Sequence, residues 1–416
     1  MPKLNLSQST TAHAEWEQKL KLDEQTQVTP SQERLPNSAS LTPARLEKRW
    51  QAINKVASRA ALLDPQSEDQ QMQYANNIEH FIGTVKLPVG IAGPLLLKGA
   101  HALGEYLVPL ATTEAALVAS YNRGAKLITE AGGATALVIN EGVTRTPVFE
   151  FHSVAEAGKF VAWAVTQYDE FKALAHSTTR YGKLKDINVN IEGNRVYLVF
   201  EYLTGDASGQ NMVTFATNTI YQYILQSCPI SINAAYLDGN LSGDKKPNSH
   251  TMRSVRGKKV VADITIPATL IEKRLHTSVS KMVEFGQMTT TGALLSGGIG
   301  VNAHYANALA ALYIACGQDP ACVAESAVGI TRMEQDAMGN LYASVTLPNI
   351  MVGTVGGGTH LPSQKACLDI LGLYGSGKAR ALAEVTAGLC LAGELSIVGA
   401  FCAGHFSKAH QRLARR

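Results

Sequence analysis

Residues 109–133 read PLATTEAALVASYNRGAKLITEAGG. Thr112 and Thr113 follow a proline and are good helix-capping residues, and the Ala, Leu and Val after them suit a helix. Residues 115–119 are apolar on every side. A helix without a polar stripe is buried in the middle of its domain, so the fold is expected to be built around this segment. Glu114 is the one carboxylate in the expected first turn. There it gains from the helix N-terminus and loses hydration; burial favours the protonated form, which suits a proton donor near neutral pH. The commoner use of such a Glu is to cap an exposed helix start, and this segment alone does not separate the two.

The chain has 416 residues, enough for one large core or two smaller ones. An apolar content of 45% against 17% charged residues describes an ordinary globular protein. The net charge of +3 is too small to argue for a nucleic-acid partner, and no basic stripe interleaved with aromatics occurs. Cys228, Cys316, Cys322, Cys367, Cys390 and Cys402 form no CxxC pair and lie mostly in apolar runs. That pattern fits buried thiols in a reducing compartment, with neither a disulfide framework nor a metal site. The N-terminus lacks the basic-then-apolar signature of a signal peptide. With no run of about 18 or more apolar residues, a cytoplasmic protein without membrane contact is expected.

Residues 1–45 are polar and rich in Gln, Ser and Thr, and are read as an arm. Thr42-Pro43 is a good cap plus first-position pair for a helix through about Leu63. Gly and Pro then break IEHFIGTVKLPVGIAGP (78–94) into extended pieces, one or two of them strands. Past the central segment, 135–143 reads as a strand. A strand at 147–151 precedes a capping box at Ser153–Glu156 that opens a helix to about His176. Two strands, 185–191 and 195–203, flank the turn Glu192-Gly193-Asn194; a helix at 211–228 and a strand at 231–236 follow. This β-α-β-β-α-β order is the ferredoxin-like split βαβ. The expected class is therefore α+β, with a small domain (146–236) inserted into a large, mostly helical one (46–145 and 237–416). A strand pair is expected at 341–347 and 350–354.

Four loops and the C-terminus hold residues suited to chemistry. GDASGQN (205–211) lies between a strand and a helix; its small residues let backbone N–H groups approach a ligand, and the helix start favours a phosphate. It also fits an ordinary βα loop, and it is not GxGxxG. In DGNLSGDKKP (238–247), Lys245 and Lys246 are either solvated or one turns inward to stabilise an oxyanion, with an Asp to hold it. Asp319, just past an apolar helix, is a solvated helix end or a buried partner for Lys245. GTVGGGT (353–359) brings backbone close to a neighbouring helix or to a cofactor phosphate. GLYGSGK (372–378) nearly spells a P-loop, but Ala379 replaces the Ser/Thr that would hold magnesium; it reads as a helix–helix turn. His405 and His410 stand with Arg412, Arg415 and Arg416 at the end of the chain, where His can deliver a proton near pH 7.

Together these pieces resemble the 3-hydroxy-3-methylglutaryl-coenzyme A reductase family, in the class shared by eukaryotes, archaea and some bacteria. The resemblance runs from about Ile78 to Arg416 and rests on EHFIG, LPVGIAGP, LATTEAALVASYNRG, GDASGQNM, GDKKP, NAHYANALAALYIACGQD, LPNIMVGTVGGGT, AGELS and AGHFSKAH, in that order. It implies reduction of the thioester by two NADPH-borne hydrides, through a hemithioacetal and an aldehyde, to mevalonate and coenzyme A. By matched position it implies Glu114, Lys245, Asp319 and His410 as catalytic residues. It puts NADP(H) on Thr179, Arg180, Tyr181, Asp206, Ser208, Gly209, Gln210, Asn211, Val355, Gly356, Gly357, Gly358 and Thr359, with Arg180 at the 2′-phosphate. It puts the acyl-coenzyme A substrate on Ser120, Asn122, Arg123, Arg145, Asp244, Lys246 and Asn307. It also implies a homodimer or higher even oligomer with the site at the subunit interface. Two positions depart from the pattern: Asp238 stands where the family has Ser, and Met288 where it has a Lys for the substrate's terminal carboxylate. The alternatives are a non-catalytic or altered-specificity relative that binds another acyl-coenzyme A or a nucleotide, and a phosphotransferase working through GLYGSGK.

Overall fold

Residues 40–405 are described in the computed structural model of the chain. Most of the expected polar arm, and His410 with Arg412, Arg415 and Arg416, lie outside the described residues. The chain divides between Val85 and Lys86 into two compact units. In the first, Thr42 caps α1 (Pro43–Ile53) and Pro43 takes its first turn. The helix expected through Leu63 is broken at Asn54, which is left-handed (φ 50°), and α2 (Val56–Leu62) and α3 (Pro65–Asp69) follow. Buried Arg49 and Trp50 of α1 donate to the carbonyls of Phe81 and Ile82 at 3.0 and 2.9 Å, which fixes the EHFIG stretch.

The second unit begins with an antiparallel hairpin, β1 (Val89–Lys98) and β2 (Leu103–Ala111), followed by α4 (Leu117–Glu130) and β3 (Thr135–Arg145). Next come β4 (Val148–Glu150), α5 (Val154–Thr166), α6 (Tyr168–Ser177), β5 (Lys183–Glu192), β6 (Arg195–Leu203), α7 (Gln210–Ser227) and β7 (Ala234–Tyr236). The remainder is β8 (Gly257–Ile266), α8 (Ala268–Leu275), α9 (Val279–Ser296), α10 (Tyr305–Ala315), α11 (Val323–Ser326), β9 (Ile330–Gln335), β10 (Leu341–Ile350), α12 (Pro362–Ile370) and α13 (Ala379–Cys402). Helix and antiparallel sheet are mixed, as the α+β class requires. The strands β4 to β7 lie in the order β7-β4-β6-β5 and continue through β3 into β8, β10 and β9, so one sheet runs through the unit. β8 was not anticipated from the sequence. The strand pair expected at 341–354 is instead one strand, β10, whose partners are β8 and β9.

The helix buried on all sides is α13 and not the segment at 109–133. Nearly every residue from Ala379 to Ala400 is buried. By length and composition α13 could cross a membrane, but most of it is covered by the protein's own chain. Its two interior carboxylates are both answered: Glu384 accepts the N–H groups of His101 and Ala102 at 2.8 and 2.7 Å, and Glu394 accepts those of Ala303 and His304 at 2.9 Å. By contrast α4 is amphipathic, with Leu117, Tyr121, Gly124, Ala125, Leu127 and Ile128 inward. It starts only at Leu117, because Ala116 is left-handed (φ 69°) and the Thr112 hydroxyl takes the Glu114 N–H at 3.0 Å. Glu114 is therefore in the exposed connection before the helix and not in a dry first turn.

α4 lies against α13 at backbone distance: a Cβ on Gly124 would stand 1.8 Å from the Ala392 carbonyl oxygen. Neither helix can yield without opening the core. Gly124→Ala is expected to lower the unfolding free energy by about 3 kcal/mol, at the upper end of what overpacking costs. Urea denaturation at unchanged m-value checks it, and an unaltered midpoint would contradict this packing.

Candidate active site

The loop 238–247 turns sharply at Lys245, which is left-handed with φ 57°. From there its ammonium reaches Asp319 at 2.8 Å, with the two side chains 43% and 39% exposed. The hydrogen bond to Asp319 is the main reason the Lys245 pKa lies above the ordinary lysine value; burial opposes it. Asp319 itself caps the single turn Pro320–Cys322, accepting the Ala321 N–H at 3.0 Å. A charged, half-exposed ammonium fixed by one carboxylate is equipped to meet negative charge developing on a carbonyl oxygen.

Beneath this pair lies a buried ionic chain that sequence reading missed. Arg256 and Glu325 are both fully buried, with Arg256 Nη1 3.2 and 3.1 Å from the two Glu325 oxygens. Arg256 Nη2 donates to Asp244 at 2.7 Å, and Arg145 Nη2 reaches the other Asp244 oxygen at 3.4 Å. Arg145 also ion-pairs with Asp238. Burial pushes the Glu325 carboxyl up to about 7, with the Arg256 charge pulling the other way. Glu325 is a lone charge in an apolar run, whereas Arg256 is one of four basic residues in 253–259, and nothing in their spacing links the two.

Three glycine-rich loops, 205–211, 353–359 and 372–378, are held together, and the second of them packs on the residues just before Asp319. The Gly353 N–H and carbonyl both bond the Gln318 side chain, at 2.8 and 3.0 Å, and a Cβ on Gly353 would strike the backbone of residues 206–208. Likewise a Cβ on Gly317 would stand 2.3 Å from the Gly358 carbonyl oxygen. Asp206 accepts the N–H groups of Gly377 and Ala379 at 2.7 and 3.1 Å, tying GDASGQN to GLYGSGK and to the start of α13. GLYGSGK is thus the turn between α12 and α13. Gln210, at the start of α7, donates to Cys322 Sγ at 2.8 Å. Gly356 and Gly357 have positive φ and open space where a side chain would be. Thr179 holds the next turn through bonds to the Tyr181 and Gly182 N–H groups at 3.1 Å, leaving Arg180 and Tyr181 exposed.

The remaining expected residues are placed separately. On α4, Ser120 meets the Ser396 hydroxyl at 2.9 Å, Arg123 donates to the Ser396 carbonyl at 2.8 Å, and Asn122 accepts the Gly93 N–H at 3.1 Å. Burial holds Arg123 below the ordinary guanidinium value. Glu114 is joined to Asn307 at 3.5 Å; among the described residues no hydrogen bond or ion pair links it to Lys245 or Asp319. Lys246 is exposed and donates to the Asp244 carbonyl at 2.9 Å. Asn307 also lines a cleft of about 1120 Å³ between α9, β9 and α13, which Lys245 and Asp319 do not line. Met288, on α9, is exposed. Among the described residues no group of three or more His, Cys, Asp or Glu is placed to hold a metal ion.

Residues 45–415 match the family model described as hydroxymethylglutaryl-coenzyme A reductase. The chain belongs to that family. A 3-hydroxy-3-methylglutaryl-coenzyme A reductase from Methanocaldococcus jannaschii is 44% identical over 354 residues, covering 84% of this chain and 87% of the relative. The one from Aeropyrum pernix is 41% identical over 397 residues, covering 91% and 94%. Among solved structures, the class II reductase of Streptococcus pneumoniae bound to NADPH in open conformations aligns with a TM-score of 0.64 at 20% identity, over 87% of this chain and 100% of that one. At that identity the likeness is one of fold. In this member of the hydroxymethylglutaryl-coenzyme A reductase family, GDKKP and GQD meet through Lys245 and Asp319, and the loop 353–359 is held against Gln318.

Asp206 makes the tie between those loops testable. Asp206→Ala is expected to cost about 1 kcal/mol of stability, as for loss of a helix cap. It is also expected to speed amide exchange at Gly377 and Ala379. Unchanged exchange at those two positions would remove Asp206 from this role.

Proposed function

We propose that the chain reduces 3-hydroxy-3-methylglutaryl-coenzyme A to mevalonate and free coenzyme A, a four-electron reduction using two NADPH. The observation that carries this reading is the Lys245–Asp319 pair, 2.8 Å long, on loops whose sequences are GDKKP and GQD. NADPH supplies hydride to the carbonyl carbon of the thioester and then of the aldehyde. The residues present fit it. Gly356 and Gly357 leave open space along their loop, Gly209 opens the 18-residue helix α7 toward an anion, and Arg180 stands exposed nearby in sequence to the small-domain sheet. We assign the small domain, 146–236, as the platform for the dinucleotide, with Thr179, Arg180, Tyr181, Asp206, 208–211 and 355–359 against it and Arg180 at the 2′-phosphate.

In this reading Lys245 Nζ donates to the carbonyl oxygen as negative charge gathers there, and Asp319 keeps the ammonium charged and aimed. Glu114 delivers a proton to that oxygen, and His410 protonates the departing thiolate. Glu114 is exposed in the isolated chain, so its proton-donor role calls for a cover. The exposure of Leu294 and Leu295 at the end of α9 supports a second copy of this chain as that cover, with the site at the interface of a homodimer. The mostly buried thiols support a reducing, cytoplasmic setting.

A second reading, changed acyl preference, is favoured by one observation. Arg145, one of the residues expected to contact the acyl-coenzyme A substrate and a cation able to meet its terminal carboxylate, is already ion-paired to Asp238. A carboxylate substrate must compete with that pairing, and no lysine stands at Met288 to help it.

Two measurements separate these readings. Lys245→Ala is expected to lower kcat, followed by NADPH oxidation, by about a hundredfold or more, as for removal of an oxyanion donor, with NADPH affinity unchanged. If most of kcat remains, Lys245 is not the catalytic cation. Asp238→Ser is expected to lower KM for 3-hydroxy-3-methylglutaryl-coenzyme A by about tenfold, the worth of one freed charged contact, while a thioester lacking the terminal carboxylate gains nothing. Equal response of both thioesters would discard Asp238 as a determinant of acyl preference.

A further inference from the structure

Lys245 is gripped at two points. Its ammonium meets Asp319, and its backbone N–H donates to Glu325 Oε1 at 3.2 Å. Both acceptors belong to one short stretch of chain, the turn Pro320–Cys322 with its Asp319 cap and then α11. Lys245 has φ 57°, a conformation that residues with a Cβ adopt at a cost, so the turn must be fixed from outside. Glu325 supplies that fixing twice. It takes the Lys245 N–H directly, and it binds Arg256, whose other nitrogen holds Asp244, the residue before Lys245. A fully buried carboxylate is expensive to keep, and the reaction as proposed gives it no proton to carry.

We propose that Glu325 is a positioning residue for the reduction: its carboxylate fixes the backbone from which Lys245 reaches the substrate carbonyl. This rests on Lys245 being the catalytic cation. Glu325 touches neither the proposed substrate carbonyl nor the dinucleotide loops, so its loss acts on the chemical step. Displacing a reacting group by about 1 Å costs up to about a hundredfold in rate.

The test compares two side chains of similar volume in the full chain. Both remove the charge, and only Gln keeps an acceptor oxygen for the Lys245 N–H and for Arg256, the two groups through which Glu325 fixes the turn. Glu325→Met is expected to lose about tenfold or more in kcat with KM for both substrates within about threefold, while Glu325→Gln recovers most of that loss. If the Met variant does not fold, Glu325→Asp replaces it: charge is kept, the oxygen is withdrawn by one methylene, and a comparable fall in kcat is expected. Equal kcat in the Met and Gln variants, or a loss carried by KM alone, overturns the proposal. Lys245→Ala runs alongside. If it keeps turnover, the reading of Lys245 fails; if it is inactive while Glu325→Met is fully active, the positioning role alone fails.

Discussion

A helix of 24 residues surrounded by protein has both of its buried carboxylates answered from elsewhere, and that condition shapes this molecule. Glu384 and Glu394 cannot reach water, so the chain brings them N–H donors from the hairpin turn after β1 and from the start of α10. Those bonds fix where β1, β2 and α10 lie relative to α13. The first backbone N–H of α13, that of Ala379, faces the same problem, and Asp206 answers it from the loop ahead of α7 together with the Gly377 N–H in the turn before the helix. Solving the burial of one helix therefore sets the position of a glycine-rich loop expected to serve the cofactor.

The same economy recurs around Asp319. Gln318, one residue before Asp319, spends its side-chain amide on Gly353, so the turn that presents Asp319 and the loop 353–359 are one rigid piece. Glycines there have two uses. Gly353, Gly317 and Gly358 permit backbone to lie on backbone, whereas Gly356 and Gly357 leave space unfilled. Close packing and open space are both found in one run of glycines, which is why the sequence could not choose between a neighbouring element and a cofactor.

Under the hydroxymethylglutaryl-coenzyme A reductase reading, charge is distributed with a clear division. Lys245 and Asp319 stay half-exposed, where a substrate can reach them, while Arg256 and Glu325 carry the turn from below in a dry environment. Arg145 belongs to both groups, joined to Asp244 below and Asp238 at the edge. Asp238 is where this chain departs from the family pattern, and its pairing with Arg145 gives the departure a physical consequence.

Local chemistry was legible in the residues themselves. Thr42-Pro43 opens a helix, Ser153 and Glu156 cap another, and the turn at 192–194 joins two strands of which β6 buries alternate residues, because caps, turns and period-two burial act within a few residues. Asp319 as a partner for Lys245 was likewise one of the two readings open from the residues, since an ammonium and a carboxylate are complementary wherever the fold brings them together. What the sequence by itself could not settle was which apolar helix becomes the centre. Residues 115–119 and 381–400 look alike as strings, but only the second has donors folded in from distant loops to satisfy its carboxylates, and Ala116 turns left-handed ahead of α4 to leave Glu114 outside. The partners of Arg256 and Glu325, 69 residues apart, were equally invisible: a long-range ion pair depends on where two backbones end up, and only the tertiary structure decides that.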